Sequence, residues 1–162
     1  MTLRRSRVLS YLREGGYSVV FLQETHTDPT TEDRWRLEWG DGVYFSHFMT
    51  WQAGVATLFS PTLRPEVLGV TEAEPGHLLH LRVHMEGIVV NLVNIYAPQT
   101  SSKRPQFYQR VSNFLGTLDS HECLVLGGDF NTTLEERDRS GAELSRAQPP
   151  RIFSEEQLNI TP

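Results

Sequence analysis

The segment from Leu79 to Tyr96 constrains the fold more than any other stretch of this sequence. Leu79, Leu81 and Val83 alternate with polar residues up to Met85, Glu86-Gly87 supplies a tight turn, and Ile88-Val89-Val90-Asn91-Leu92-Val93-Asn94-Ile95-Tyr96 runs back. A period of two belongs to β-strands, and a turn this short joins strands that run antiparallel. Pro98 ends the return strand, since proline cannot donate to a ladder. The rest of the chain must be built around this hairpin.

Four further runs read as strands. Val19-Val20-Phe21-Leu22 and Leu124-Val125-Leu126 are short and continuously apolar, the pattern of strands buried on both faces. Residues 43–48 and 54–59 are the other two, the second stopped by Ser60-Pro61. Helices are expected within the first fourteen residues and over residues 32–39 and 105–118. The first turns Val8, Leu9 and Leu12 inward and ends at Gly15-Gly16; the second has Thr31 as N-cap and Gly40 beyond its end. The third opens on Pro105 and places Phe107, Val111, Phe114, Leu115 and Leu118 on one face. Hairpin strands combined with strands that need helical crossovers predict a mixed-sheet α/β sandwich, not a purely parallel fold. Residues 1–141 are expected to form that domain. Residues 142–162 are polar, carry Pro149-Pro150, and are expected to be a loosely ordered tail with a short helix near Ser154 to Leu158.

The 162 residues suit one domain, and no run of about twenty apolar residues predicts a membrane-spanning helix. The single cysteine, Cys123, excludes an internal disulfide framework and suits a reducing intracellular compartment, nuclear or cytoplasmic. Lying beside Leu124-Val125-Leu126, its thiol is expected to be buried. No secretory h-region is present. Arg4, Arg5, Arg7 and Arg13, with no acid before Glu14, share the composition of a mitochondrial presequence. The strand that follows needs a helical partner, which favours the amphipathic helix.

A formal net charge of −5 offers no bulk attraction to nucleic acid, so any such binding rests on a local patch. His77, His80 and His84 lie on or beside the first hairpin strand without a third metal ligand, and read as polar positions of a half-exposed strand. Trp35, Trp39 and Trp51 read as core or interface residues rather than platforms for bases.

The chemistry is expected at strand ends. Glu24 lies just beyond one apolar run, Tyr96 ends another, and Asp129 and Asn131 follow a third. In extended backbone, residues two apart point to one side, so Asp129 and Asn131 would address a common space. Gly127 and Gly128 remove side chains there and permit close approach of a backbone or a ligand. Carboxylate, carboxamide and phosphate oxygens are hard ligands that suit magnesium or manganese rather than zinc.

Four motifs, Val20-Phe21-Leu22-Gln23-Glu24-Thr25, Gly54-Val55-Ala56-Thr57-Leu58-Phe59, Val93-Asn94-Ile95-Tyr96-Ala97-Pro98 and Leu126-Gly127-Gly128-Asp129-Phe130-Asn131, occur in one order. In that order the chain resembles the endonuclease/exonuclease/phosphatase superfamily, whose members include apurinic endonucleases, DNase I and inositol phosphatases. Glu24-Thr25-His26 and Asp138-Arg139-Ser140-Gly141 are similar to the endonuclease domain of LINE-type retrotransposons. The resemblance implies a DNase I-like sandwich that uses Mg2+ or Mn2+. It implies Glu24 as metal ligand and Tyr96 as a contact to the scissile phosphate. Asp129 would orient the attacking water or its proton acceptor, and Asn131 would hold the phosphate. DNA would be the substrate, and a reverse-transcriptase region or a completing polypeptide the protein partner.

The resemblance also implies elements that this sequence does not contain. The family's opening strand carries a metal-site asparagine, whereas no asparagine precedes Asn91. Its closing aspartate and acid-histidine pair have no counterpart after His121, the last histidine. The domain is therefore expected to be incomplete at both ends, with exposed strand edges, and efficient turnover is not expected from it alone. Three readings follow: a DNA endonuclease domain, an inert remnant that binds nucleic acid or protein, and a phosphodiesterase or phosphatase of another branch.

Overall fold

A computed structural model describes residues 2–48 and 53–132. The expectations for Trp51, Asp138-Arg139-Ser140-Gly141 and the 142–162 tail lie outside the described residues. Three helices, α1 (Thr2–Glu14), α2 (Glu32–Trp39) and α3 (Arg104–Leu115), accompany seven strands. The strands are β1 (Val19–Gln23), β2 (Val43–Ser46), β3 (Val55–Phe59), β4 (Glu66–Glu74), β5 (Leu78–Met85), β6 (Ile88–Tyr96) and β7 (Cys123–Asp129). They form an antiparallel sheet in the order β1-β3-β2 and a mixed sheet in the order β4-β5-β6-β7, with only β6 and β7 parallel. The helix α3 is the crossover that a parallel pair requires.

Alternation along each strand sorts the core into layers. Val55 and Phe59 of β3 meet Leu79, Leu81 and Val83 of β5 and Val90, Leu92 and Tyr96 of β6 between the sheets. Ala56 and Leu58 point the other way, onto Leu9 of α1 and Trp35 and Trp39 of α2. Leu78, Val93 and Ile95 pack under Phe107, Tyr108 and Val111 of α3. The result is helices, sheet, sheet, helix, in which β3 and β6 are covered on both faces. That is why β6 reads as an almost unbroken apolar run. The hairpin turn has Glu86 at φ 51° and Gly87 at φ 84°, the twin positive values that fit a two-residue turn to twisted strands.

Helix α2 matches its expected span, with one difference at its start. Thr31 makes no side-chain cap; Asp28, one turn earlier, accepts from the backbone N–H groups of Thr30 and Thr31 at 2.8 and 3.1 Å. In α1, Leu9 is buried and Leu12 half-buried, while Val8 is exposed. Arg5 pairs with Glu38, and Arg13 reaches the Glu38 carbonyl and the face of Trp39, tying α1 to α2.

Three expectations are corrected. Cys123 is exposed, as are Leu124 and Val125 at 41% and 48%, because β7 is an edge strand among the described residues. Val19 to Leu22 are only half-buried for the same reason, β1 being the edge of its sheet. A continuous apolar run does not reveal whether a neighbour lies beside it. The strand β4 had no counterpart in the sequence reading, since Val67, Leu68 and Val70 do not alternate and its pairing with β5 shifts register twice.

The third correction concerns the histidines. His80 is not on a half-exposed face; it is 6% exposed and sits edge-on to Phe114 of α3. Its Nε2 donates to Asn91 Oδ1 at 2.8 Å, since the Asn91 amide nitrogen is committed to Glu122 at 2.9 Å. Arg82 grips the Glu122 carboxylate from the side. These donors, Arg82 foremost, hold the Glu122 carboxyl down at about 2 from its ordinary 4.5. A depressed carboxyl stabilises the fold above its unfolded pKa and loses that contribution as pH falls through the folded one. Glu122→Gln is thus expected to flatten the loss of stability between about pH 4.5 and pH 2, read from urea midpoints at each pH.

Polar side chains also lie between the sheets, Thr57 and Asn94 among them. Asn94 is fully buried, and its amide nitrogen donates to the Leu22 and Ala56 carbonyls at 3.2 and 2.9 Å. Its Oδ1 accepts from Gln23 at 2.8 Å. Removing a buried amide strands all three partners, so Asn94→Ala is expected to cost about 3 kcal/mol in urea unfolding.

Candidate functional site

The ends of β1, β6 and β7 converge on one edge of the sandwich. Gln23 is the last residue of β1, and Glu24 leaves the strand at φ 53°, followed by His26 at φ 48°. Left-handed backbone costs a non-glycine residue about 1–3 kcal/mol and persists only where surroundings impose it. Here the Gly54 and Ala53 carbonyls accept from the N–H groups of Thr25 and His26, each at 3.1 Å. Gly54 is needed for that contact, since a Cβ there would lie 2.5 Å from Thr25 Oγ1. A relay of hydrogen bonds from Thr25 through Thr27 and His47 to Glu32 braces the loop at 3.0, 3.1 and 2.8 Å.

So held, Glu24 meets Tyr96. The Tyr96 hydroxyl donates to Glu24 Oε1 at 2.6 Å, and the Gln99 amide donates to the same oxygen at 3.1 Å and to the Tyr96 oxygen at 2.9 Å. The Tyr96 ring is buried and stacks on His77, with centroids 5.6 Å apart and planes 12° from parallel. His77 Nδ1 lies 2.6 Å from the Tyr96 carbonyl, and the Tyr96 N–H donates to the His77 carbonyl at 2.8 Å. Burial pushes the Tyr96 hydroxyl above its usual pKa, and the Glu24 hydrogen bond adds to the rise. It therefore stays a proton donor at neutral pH.

Asp129 is in register with Tyr96 across the parallel β6–β7 pair, and its charge is felt at the Tyr96 hydroxyl. Asp129 and Asn131 come together, but not through strand alternation. Asn131 is left-handed at φ 47°, and its own N–H donates to Asp129 Oδ1 at 2.8 Å in a side-chain turn. The Asn131 amide donates to the Ala97 carbonyl at 2.7 Å, while the Ala97 N–H donates to the Asp129 carbonyl at 2.8 Å. The close approach at Gly128 is that of a neighbouring strand, because a Cβ there would overlap the Ile95 carbonyl.

Glu24 and Asp129 are exposed carboxylates beside a buried phenol and two amides. Glu24 Oε2 takes no hydrogen bond from the described residues. No group of three or more His, Cys, Asp or Glu side chains that could hold a metal occurs among them. One hard carboxylate oxygen suits an ion such as Mg2+ that takes its remaining ligands from water and phosphate. Gln99 and His77 are the two members of this cluster that sequence reasoning missed as site residues. No periodic signal marks Gln99 beyond its place after Pro98, whereas His77 stands opposite Tyr96 in the same hairpin register that pairs Leu78 with Ile95, so its contact follows from the Glu86-Gly87 turn.

The pattern of the Endonuclease/Exonuclease/phosphatase family matches residues 1–156. The chain belongs to that family. A Xenopus laevis protein described as a transposon TX1 uncharacterized 149 kDa protein is 53% identical over 137 residues, 85% of this chain. The chain spans about a tenth of that relative's length, 10%. An AP endonuclease from Archaeoglobus fulgidus superposes with a TM-score of 0.62 at 26% identity, over 85% of this chain and 57% of that one. TDP2 from C. elegans superposes at 0.59 with 21% identity, over 87% of this chain and 45% of that one, a likeness of fold. The DNase I-like sandwich is as the four motifs implied, and the kinship to a LINE-type transposon protein is as Glu24-Thr25-His26 and Asp138-Arg139-Ser140-Gly141 implied. The family is generally metal-dependent.

Because the Glu24 hydrogen bond and charge both raise the Tyr96 pKa, Glu24→Gln is expected to lower it, while burial keeps it above that of a free tyrosine. A pH titration of ring-labelled tyrosine by NMR reads the shift directly, and an unchanged Tyr96 curve would contradict the contact.

Proposed function

We propose that this chain is a metal-dependent phosphodiesterase domain that hydrolyses phosphodiester bonds in DNA, with Glu24, Tyr96, Asp129 and Asn131 around the scissile phosphate. The observation that carries this reading is the 2.6 Å hydrogen bond between Tyr96 and Glu24, which joins the ends of two strands from different sheets. Identity of 53% to a transposon protein and likeness to a solved AP endonuclease point to DNA as the polymer.

The residues divide the work by chemistry. Glu24 would hold Mg2+ or Mn2+, which when bound supplies positive charge against the phosphoryl oxygens. Tyr96, kept protonated by its burial, has a single hydroxyl hydrogen, which would turn from Glu24 to a phosphate oxygen when that carboxylate holds the metal. Asn131 spends one amide hydrogen on Ala97, which fixes its plane and leaves the second for the phosphate. Asp129, an exposed carboxylate in register with Tyr96, orients the attacking water or takes up its proton. Donors positioned before the reaction cost no reorganisation during it, which is where such sites gain rate.

The test is nicking of supercoiled plasmid under excess protein, with Mg2+ or Mn2+ present. Slow metal-dependent nicking is expected, since the family's metal-site asparagine and acid-histidine pair are not in this sequence, and it is lowered by about 10²–10³ in Glu24→Ala and in Asp129→Ala. Wild-type nicking no faster than that of both variants would overturn the reading.

A further inference from the structure

Next to the Tyr96 hydroxyl lies a cavity of about 540 Å³ that shares Tyr96 and Gln99 with the candidate site. Its size falls in the range of ligand pockets, roughly 300–1,000 Å³. One wall is aromatic: Phe48 stands edge-on to His77 at 5.5 Å, and His77 edge-on to the buried Phe107 at 6.0 Å. Phe48 occupies this wall because residue 76 is glycine. That glycine has φ 71°, and a Cβ on it would come within 2.5 Å of the Phe48 Cβ.

The opposite wall belongs to the start of α3 and the turn before it. Arg110 is spent on Glu74, its Nε donating at 2.5 Å. Lys103, exposed at the rim, makes no side-chain hydrogen bond or ion pair among the described residues. The rim thus carries one uncompensated positive charge in a chain whose formal net charge is −5. Gln106 adds a carboxamide that offers both donor and acceptor. An anion-seeking ammonium, flat rings and a free amide within one cavity match a ligand with a phosphate, a planar base and a hydrogen-bonding edge.

We propose that this cavity is the subsite for the nucleotide next to the scissile phosphate, its phosphate on Lys103 and its unpaired base against Phe48 and His77. The assignment rests on the phosphodiesterase reading for its place beside the reacting bond. Gln106, at the rim, faces the edge of that base and is the residue in a position to discriminate among bases.

The probe is a fluorescein-labelled single-stranded DNA about eight nucleotides long, a length one groove can track. Its dissociation constant is measured by anisotropy on the full chain, in EDTA so that no hydrolysis intervenes, between about 50 and 200 mM salt. Phe48→Ala is expected to weaken binding about ten-fold without changing the salt slope, as loss of a stacking ring does. Lys103→Ala is expected to weaken binding and reduce the slope of log K against log salt by about 0.7, the signature of one lost phosphate contact to a single strand. His84→Ala, on the exposed end of β5, should bind as the wild type. No binding by the wild type, or variants at Phe48 and Lys103 that keep its affinity and slope, would overturn the proposal. Plasmid nicking separates the two readings. A Glu24-dependent nuclease indifferent to Phe48 and Lys103 retains the reaction and loses the subsite. An inert chain whose affinity depends on both residues retains the subsite and loses the reaction.

Discussion

The structure depends on one buried amide. Asn94 lies on the inward face of β6, where every neighbour along the strand is apolar, and water cannot reach it. An unpaired carboxamide there would cost more than the burial of its flanking side chains could spare. It is satisfied only by the opposite sheet, through the Gln23 side chain and the carbonyls of Leu22 and Ala56. Apolar packing alone tolerates small slides between sheets, but these hydrogen bonds do not. The Gln23–Asn94 pair sets the offset of β1 against β6, and the next polar groups along each strand, Glu24 and Tyr96, meet as its consequence.

Strain at the site follows from the same arrangement. Glu24, His26 and Asn131 all adopt left-handed backbone where their strands end. Strand alternation would have carried the Glu24 side chain to the opposite face from Gln23; the left-handed turn redirects it toward Tyr96. The cost is met by the hydrogen bonds of the Thr25–His26 segment to Ala53 and Gly54, and by those of Asn131 to Asp129 and Ala97. A donor–acceptor set of this kind is rigid before any ligand arrives, which suits stabilisation of developing charge.

The other polar cluster, His80, Asn91, Arg82 and Glu122, does a different job on the far face of the same sheet. It pins the turn before β7 to the middle of β5 and β6, so that β7 enters in parallel register and Asp129 arrives beside Tyr96. His80 Nδ1 has no hydrogen-bond partner, one of two buried side-chain atoms among the described residues in that position.

Much of this was readable before any fold was known. Alternation located the hairpin β5–β6 to within a residue, Gly40 marked the end of α2, and the ordered motifs with carboxylates, phenol and amide at strand ends marked the family and the candidate site. Those signals are local: period, turn chemistry and motif order sit in contiguous residues. What needed the tertiary structure was everything set by a neighbour absent from the local sequence. Edge position made β1 and β7 more exposed than their apolar runs suggest, and α3 buried His80 on a strand that reads as half wet. Register shifts hid β4, and the contact of Gln99 with Tyr96 exists only because the segment after β6 turns there, whereas that of His77 was implicit in the hairpin register. Sequence by itself determined the family and which polar side chains stand at strand ends. Only the packing of one sheet on the other, keyed by Asn94, decided that Glu24 and Tyr96 would meet.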